Sequence, residues 1–182
     1  MSAQANQDTA SRFAVYFRVR HYESDALGHV NNATWLHYLE HAAIEHSGAL
    51  GYTLERFAAL GGAFIVRRHE IEYLRPAAPG DTLVVLTWPV SFAGAKAIRD
   101  YEVRLVATAA AAGDTPVPAD HFWSADAEPD GDLLVRARTL WVWADKNGRP
   151  RRIPAELLPV FFPADRRESR VPTGTERHGI AL

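Results

Sequence analysis

Residues 23–32 read Glu-Ser-Asp-Ala-Leu-Gly-His-Val-Asn-Asn and stand directly before the longest helix signal in the chain. After Asn32, apolar side chains recur every three or four residues, which predicts a helix that ends near Gly48 and Gly51. Asn31 or Asn32 is the expected N-cap. A carboxylate that faces a helix N-terminus lies near free backbone N–H groups and the positive end of the helix dipole. Because these groups stabilise a developing oxyanion, the stretch indicates acyl transfer.

Alternating runs on both sides of this helix predict strands. One run precedes the helix at residues 13–19, and four follow the Gly61-Gly62 break, at residues 63–74, 82–92, 97–107 and 133–144. In the first of these four, the alternation places Ile65, Ile71 and Tyr73 on one face. One strand, a long helix and four further strands favour an α+β domain in which an antiparallel sheet wraps over the helix.

Length and composition predict one domain. With 182 residues, of which 47% are hydrophobic, the chain is large enough for one core and short for two. We expect a flexible leader at residues 1–12, the domain at residues 13–162 and a mobile tail at residues 163–182. Residues 109–132 are rich in Ala, Pro, Gly and Asp and are too long for a plain connection in a small domain. We interpret them as an inserted loop, either a lid or a solvated insertion.

Charge and composition limit the partners and the chemistry. The formal net charge of -2 disfavours nucleic acid as a partner, because no excess of Lys and Arg is available for phosphates. The absence of cysteine excludes disulfides, a thiol nucleophile and Cys-ligated zinc. No signal-peptide pattern opens the sequence and no apolar run approaches about 20 residues, so we expect a cytoplasmic protein without membrane insertion.

Residues 37–41 match the HxxEH motif of inverted zinc peptidases, with His37 and His41 on one helix face. Such enzymes need a third ligand from another helix and a larger helical domain, whereas this chain turns to sheet after its helix. We therefore expect neither a metal nor another cofactor. Glu40, within the motif, either approaches the pocket beside the N-terminal loop or is an ordinary solvated helical residue.

Two stretches of the chain resemble one known family. They are residues 25–32, which lead into residues 35–40, and residues 73–81, which carry a polar strand end, a proline and a Gly-Asp turn. Over about residues 13–145 the chain resembles the hotdog-fold acyl-CoA thioesterases of the 4-hydroxybenzoyl-CoA thioesterase type. The resemblance implies a five-stranded antiparallel sheet wrapped around one long central helix. It also implies hydrolysis of acyl-CoA or acyl-carrier-protein thioesters by a homodimer or homotetramer whose active site lies between subunits.

The resemblance assigns roles to the loop before the helix. Asp25 would be the catalytic carboxylate, either as a nucleophile that forms a mixed anhydride or as a general base for water. The backbone N–H of Asn32 would bind the thioester oxygen as it becomes negative. His29 and Asn31 would position water or the acyl carbonyl, and Gly28 would let the loop approach the substrate. In an ordinary protein, the same Asp and Asn residues would only shape a turn and cap the helix.

Three basic residues are candidates for binding the phosphates of coenzyme A. Arg67, Lys96 and Arg99 lie on or near the middle strands, and phosphate recognition needs Lys or Arg at a rim that the pantetheine arm passes. On a strand, such a charge is more often simply solvated. Two other functions stay open from the sequence. They are an acyl-CoA binding protein without catalysis and a hotdog hydratase or dehydratase.

Overall fold

The chain folds into an antiparallel sheet with one long helix packed on its inner face. The computed structural model describes residues 10–113, 115–124, 127 and 130–163. The strands are β1 (Arg12–Arg18), β2 (Ala63–Tyr73), β3 (Thr82–Ala93), β4 (Lys96–Ala107), β5 (His121–Trp123) and β6 (Asp132–Ala144). The helices are α1 (Asn32–Ala49), α2 (Leu54–Ala59), α3 (Ala109–Ala112) and α4 (Leu158–Phe161), with 3-10 turns at His21–Glu23 and Ala155–Leu157. The strand order is β2-β6-β4-β3-β1-β5.

α1 begins where it does because Asn31 caps it. The Asn31 side chain accepts a hydrogen bond from the Ala33 N–H at 2.9 Å, which satisfies a donor that the first helical turn leaves free. The face that α1 buries carries Trp35, Tyr38, Leu39, Ala42 and Ala43. These side chains share the main core with strand residues Phe13, Val15, Leu83, Val85, Tyr101, Val103 and Val135. The helix is therefore held mainly by its burial against the sheet.

β2 contains a β-bulge at Arg67, where its pairing with β6 shifts by one residue. An extra residue in one strand reverses the alternation of the side chains that follow it. Ile65 therefore lies on the opposite face from Ile71 and Tyr73, and it is 40% exposed. The sequence prediction that these three side chains share a face was wrong, because strict alternation takes no account of a bulge.

Residues 109–132 contribute to the sheet instead of forming only an inserted loop. They hold α3 and β5, and β5 pairs antiparallel with β1 at one edge of the sheet. The ring of Phe122 packs edge-on against Phe13, with the ring centroids 5.1 Å apart. The prediction of five strands is thus corrected to six, because aromatic side chains in this segment find apolar partners at the edge of the sheet.

The first and last described segments of the domain contact each other. Ala10 and Ser11 are buried, and the Ser11 N–H donates a hydrogen bond to the Phe161 carbonyl at 3.1 Å. The folded domain therefore begins within the predicted leader. The rest of that leader, residues 1–9, and the predicted tail from residue 164 onward lie outside the described residues. Within the described part of the chain, no helix is both long and apolar enough to cross a membrane.

Candidate active site

The carboxylate of Asp25 is built into a tight turn just before α1. Its Oδ1 accepts hydrogen bonds from the backbone N–H groups of Leu27, at 2.8 Å, and His29, at 3.2 Å. The Asp25 N–H closes the turn by donating to the His29 carbonyl at 2.8 Å. Gly28 adopts φ +77°, a left-handed conformation that favours glycine. Oδ2 accepts no hydrogen bond from any described residue, so half of this carboxylate is available for chemistry.

A second turn of the same kind follows β6 and is built on Asp145. There Oδ1 accepts from the N–H groups of Asn147, at 2.9 Å, and Arg149, at 3.1 Å. Oδ2 of Asp145 is occupied, because it lies 3.0 Å from Nε of Arg151. The backbone hydrogen bond from Arg149, followed by the other bonds to this carboxylate, lowers the pKa of Asp145. Turn formation alone therefore accounts for the hydrogen bonds to Oδ1 at both sites. Asp25 differs from Asp145 because its Oδ2 has no partner in the described part of the chain.

The two stretches that carry the family resemblance lie against each other. The Val30 N–H, in the loop before α1, donates to the Ala77 carbonyl at 2.8 Å. The hydroxyl of Tyr73 donates to the Asn32 carbonyl at 3.2 Å. The end of β2 and the turn after it therefore support the start of α1.

Glu23 fixes the loop from the other side, and sequence reasoning gave it no role. Its Oε2 accepts from the backbone N–H of Arg20, at 2.6 Å, and from the Tyr38 hydroxyl, at 2.8 Å. Burial and then the hydrogen bond to Glu23 raise the pKa of Tyr38, so the phenol stays protonated and donates. Because Tyr38 lies on α1, this bond ties the loop to the helix. The partners are fifteen residues apart, so no local pattern could have revealed the pair.

The remaining loop residues differ in whether their polar groups are already hydrogen-bonded within the protein. Asn31 is the N-cap, so its side-chain oxygen is engaged with the Ala33 N–H. Asn32 is the first residue of α1, and among the described residues its N–H has no acceptor. His29 is exposed, and its imidazole contacts no hydrogen-bond partner in the described part of the chain. The loop thus presents Oδ2 of Asp25, the His29 imidazole and the Asn32 N–H, none of which has a partner among the described residues.

The three candidate phosphate-binding residues have different surroundings. Arg67, at the β2 bulge, and Lys96, at the start of β4, are exposed, which suits a rim position. Arg99 is only 7% exposed and lies between the sheet and α1, where its Nη1 donates to the ring of His46 and to Thr87. Arg67 and Lys96 therefore remain candidates for phosphate contacts at the rim, whereas the burial of Arg99 does not fit such a position.

Glu40 is an exposed residue of α1. Among the described residues, no hydrogen bond joins Glu40 to residues 23–32. Its negative charge instead acts on His69 of β2, whose Nδ1 lies 2.8 Å from the Thr139 hydroxyl. Burial lowers the pKa of His69, and Glu40 partly opposes this shift. Glu40 therefore stays a reserve candidate, near the middle of β2.

The HxxEH motif has ordinary surroundings. Nε2 of His41 lies 3.8 Å from Oε1 of Glu45, one turn along α1, and its ring packs edge-on against Phe17 with centroids 5.5 Å apart. Over the ranges that the structure describes, no group of three or more His, Asp and Glu side chains is arranged to hold a metal ion. The motif alone therefore supports no metal chemistry.

The sequence profile of a family described as the thioesterase-like superfamily matches residues 19–161. The chain belongs to the thioesterase-like superfamily. The match begins directly after β1 and ends in α4, so it includes the Asp25 loop, α1 and five of the strands. The membership that the resemblance predicted is thereby confirmed.

Similar sequences include thioesterases of Arabidopsis thaliana that share less than a third of their aligned residues with this chain. An acyl-acyl carrier protein thioesterase of Arabidopsis thaliana, named as chloroplastic, is 29% identical over 147 residues, which make up 81% of this chain. The matched region spans 66% of the length of that relative, which is less than two thirds. The cytoplasmic location expected from the sequence of the present chain stays a prediction.

Solved structures show the fold of this superfamily member. A 4-hydroxybenzoyl-CoA thioesterase mutant complexed with 4-hydroxybenzoyl-CoA is 15% identical, with a TM-score of 0.65 over 82% of this chain and 98% of that chain. A thioesterase from Thermus thermophilus, complexed with coenzyme A and Zn, is 25% identical, with a TM-score of 0.61 over 82% of this chain and 91% of that chain. These similarities confirm the predicted α+β hotdog fold.

Proposed function

We propose that this protein hydrolyses acyl-CoA or related acyl thioesters and releases the free acid and the thiol. The observation that carries the proposal is Oδ2 of Asp25, which has no partner among the described residues and lies on a turn fixed against the start of α1. The Asn32 N–H at the first position of that helix is the candidate oxyanion donor. One such donor contributes about 2.7–4 kcal/mol to transition-state stabilisation in comparable sites. Because it belongs to the backbone, a change of the Asn32 side chain leaves it in place.

Asp25 can act by either of two routes. As a nucleophile, Oδ2 adds to the thioester carbonyl, the thiolate leaves, and water hydrolyses the resulting mixed anhydride. As a general base, Oδ2 takes a proton from the water that adds to the carbonyl, and the proton leaves with the thiol. In both routes the carbonyl oxygen becomes negative and the Asn32 N–H stabilises it. His29 is exposed beside this turn and is the candidate for positioning water or the acyl carbonyl.

The family and the exposed basic residues support coenzyme A or a carrier protein as the thiol carrier of the substrate. Arg67 and Lys96 are our candidates for contacts with the phosphates of coenzyme A or of a carrier-protein prosthetic group. The name of the Arabidopsis relative supports including acyl-carrier-protein thioesters among the candidate substrates.

Hydrolysis is tested by incubating the protein with short, medium, long-chain and aromatic acyl-CoAs, and with acyl-carrier-protein thioesters, while a colour reagent reports free thiol. The chain has no cysteine, so the protein itself adds no thiol background. We expect release from at least one acyl class. If every thioester stays intact, the proposal fails, and binding of intact acyl-CoA or hydration of an enoyl-CoA becomes the next function to measure.

We also propose that the working unit is a homodimer, or a homotetramer built from it, joined through β2. This strand pairs with β6 on one side, and its other backbone edge has no strand partner within the described chain. An exposed strand edge of 11 residues is a strong site for pairing with a second chain. Ile65 and Tyr73 add exposed apolar surface to this strand, at 40% and 43% exposure.

Light scattering after gel filtration tests the assembly. We expect two or four times the mass of one chain, and Ile65→Lys should shift the protein towards the monomer and lower its activity. Val106→Lys is the matched control, because Val106 is 41% exposed but lies on β4 inside the sheet. A wild-type protein that is monomeric and fully active would contradict the proposal that the working unit is a dimer or tetramer.

A further inference from the structure

A cavity of about 370 Å³ lies at the C-terminal half of α1, away from the Asp25 loop. Its apolar walls come mainly from Ala43, Phe57, Phe64, Phe92, Trp141 and Phe161. Ile44 and Leu54 also line it and are 45% and 63% exposed, so the cavity opens to solvent between α1 and α2. Its volume lies at the lower end of the range for small-molecule sites.

Within one chain, the cavity and the Asp25 loop lie at opposite ends of α1. The loop precedes Asn32, whereas the helical wall of the cavity starts at Ala43, eleven residues later. At about 1.5 Å per residue this separation is about 16 Å along the helix axis. The cavity is therefore separate from the Asp25 loop of the same chain.

Arg99 lines this mainly apolar cavity. The residue is 7% exposed, and its Nη1 lies 2.9 Å from Nδ1 of His46 and 3.0 Å from the Thr87 hydroxyl. Because a guanidinium only donates, Nδ1 of His46 is an acceptor, and the ring proton belongs on Nε2, which lies 3.1 Å from the Ser11 hydroxyl. Both partners of Nη1 are then neutral. Nε and Nη2 of Arg99 have no acceptor among the described residues.

The buried charge of Arg99 has no carboxylate partner in the described part of the chain. Two carboxylates belong to the cavity lining, but Glu45 lies beside His41 and Glu55 is exposed on α2. The ring of Phe161, whose centroid is 6.0 Å from the guanidinium carbon, compensates this charge only in part. Burial lowers the pKa of Arg99, because the charged form loses its hydration. An uncompensated buried charge is costly, and an anionic ligand would compensate it.

We infer that this cavity binds an apolar carboxylic acid, with the carboxylate on the Nε and Nη2 edge of Arg99 and the hydrocarbon against the aromatic walls. That edge offers two parallel N–H donors, which match a carboxylate. Two sources supply the same chemistry. One is a free fatty acid, and the other is the distal carboxylate of an acyl group that is bound as thioester.

The binding arm of the test uses the full-length protein and does not depend on hydrolysis. Decanoate and 1-decanol are titrated below their micellar concentrations, with tryptophan fluorescence as the signal because Trp141 lines the cavity. We expect decanoate to bind at least about tenfold more tightly than the alcohol, as a charge-assisted contact adds to equal chain burial. Arg99→Met should remove this preference, and Arg99→Lys should keep part of it.

Two further variants keep the test decisive if Arg99→Met does not fold. Ala97→Leu places a larger side chain in the cavity and should weaken the binding of decanoate and decanol alike. Asp25→Asn should change the binding of neither ligand. Equal affinity for the acid and the alcohol would overturn the inference. So would undiminished acid binding by a folded Arg99→Met protein, or no binding of decanoate at all.

A kinetic arm identifies the source of the carboxylate and rests on the proposed function. It compares kcat/KM for two acyl-CoAs of equal chain length, one ending in a methyl group and one in a carboxylate. If kcat/KM is higher for the carboxylate-ended acyl-CoA, and Arg99→Met abolishes this preference, the cavity binds the distal end of the substrate. A preference for the methyl end, together with tight decanoate binding, assigns it to a free acid. If neither thioester is cleaved, the proposed hydrolysis fails while the binding arm still stands.

Discussion

Asp25→Asn is expected to lower kcat for thioester hydrolysis by about 10³-fold while the fold and the assembly stay intact. The amide oxygen can still accept the hydrogen bonds from Leu27 and His29 that shape the turn. The amide nitrogen then takes the place of Oδ2, and it is neither a nucleophile nor a base at neutral pH. The thiol-release assay measures the effect, and circular dichroism and light scattering check that the protein is otherwise unchanged.

Asp145→Asn is the matched control, because Asp145 shapes an equivalent turn away from α1. This variant loses the charge that pairs with Arg151, yet it should keep kcat within about twofold of the wild type. A fully active Asp25→Asn protein would show that Asp25 only forms a turn. Equal losses in both variants would point instead to damage from the turn itself.

Leu39→Ala is expected to lower the free energy of unfolding by about 3–5 kcal/mol. The Leu39 side chain has 0% exposure and lies in the main core between α1 and the sheet. Truncation removes buried apolar contacts and leaves a cavity, because neighbours on a helix and a sheet cannot both move in to fill it. Urea unfolding at one fixed protein concentration measures the change, since dimerisation would make the midpoint depend on concentration.

Ile44→Ala is the control for this prediction on the same helix. Ile44 is 45% exposed and loses little burial when it is truncated, so the change should stay near about 0.5 kcal/mol. Similar losses for Ile44→Ala and Leu39→Ala would contradict the described orientation of α1. A loss at Ile44 that disappears in a monomeric variant would instead place Ile44 in the subunit interface.

Much of the fold could be predicted because its signals are local. The helix over α1 follows from apolar spacing and an Asn cap, and the five long strands follow from alternation between Gly and Pro breaks. The predictions failed where the local structure depends on a contact with a segment that is distant in the sequence. The bulge at Arg67 depends on pairing with β6, and β5 depends on the edge that β1 offers.

The candidate site also has parts that the sequence predicted and parts that it did not. Its loop was visible in the sequence, since one turn carries Asp25, Gly28 and His29 and leads directly into α1. The hydrogen bonds that hold this loop were not visible in the sequence. Glu23 accepts one from Tyr38, fifteen residues away, and Val30 donates one to Ala77, beyond the end of β2. These hydrogen bonds form only when the sheet brings separate segments together.

Local sequence patterns specify the order of the five long strands and α1, the turn on Asp25 and the capped start of α1, because hydrogen bonds and periodicity within a few residues define these features. The folded structure, by contrast, sets which charged groups are exposed and unpaired. Arg67 and Arg99 are the same residue type on neighbouring regions of the sheet, yet a bulge exposes the first and the inner face buries the second. Likewise, Arg151 occupies Oδ2 of Asp145, whereas Oδ2 of Asp25 has no partner among the described residues. Solvent access and partners depend on packing between distant segments, which a local sequence pattern does not contain.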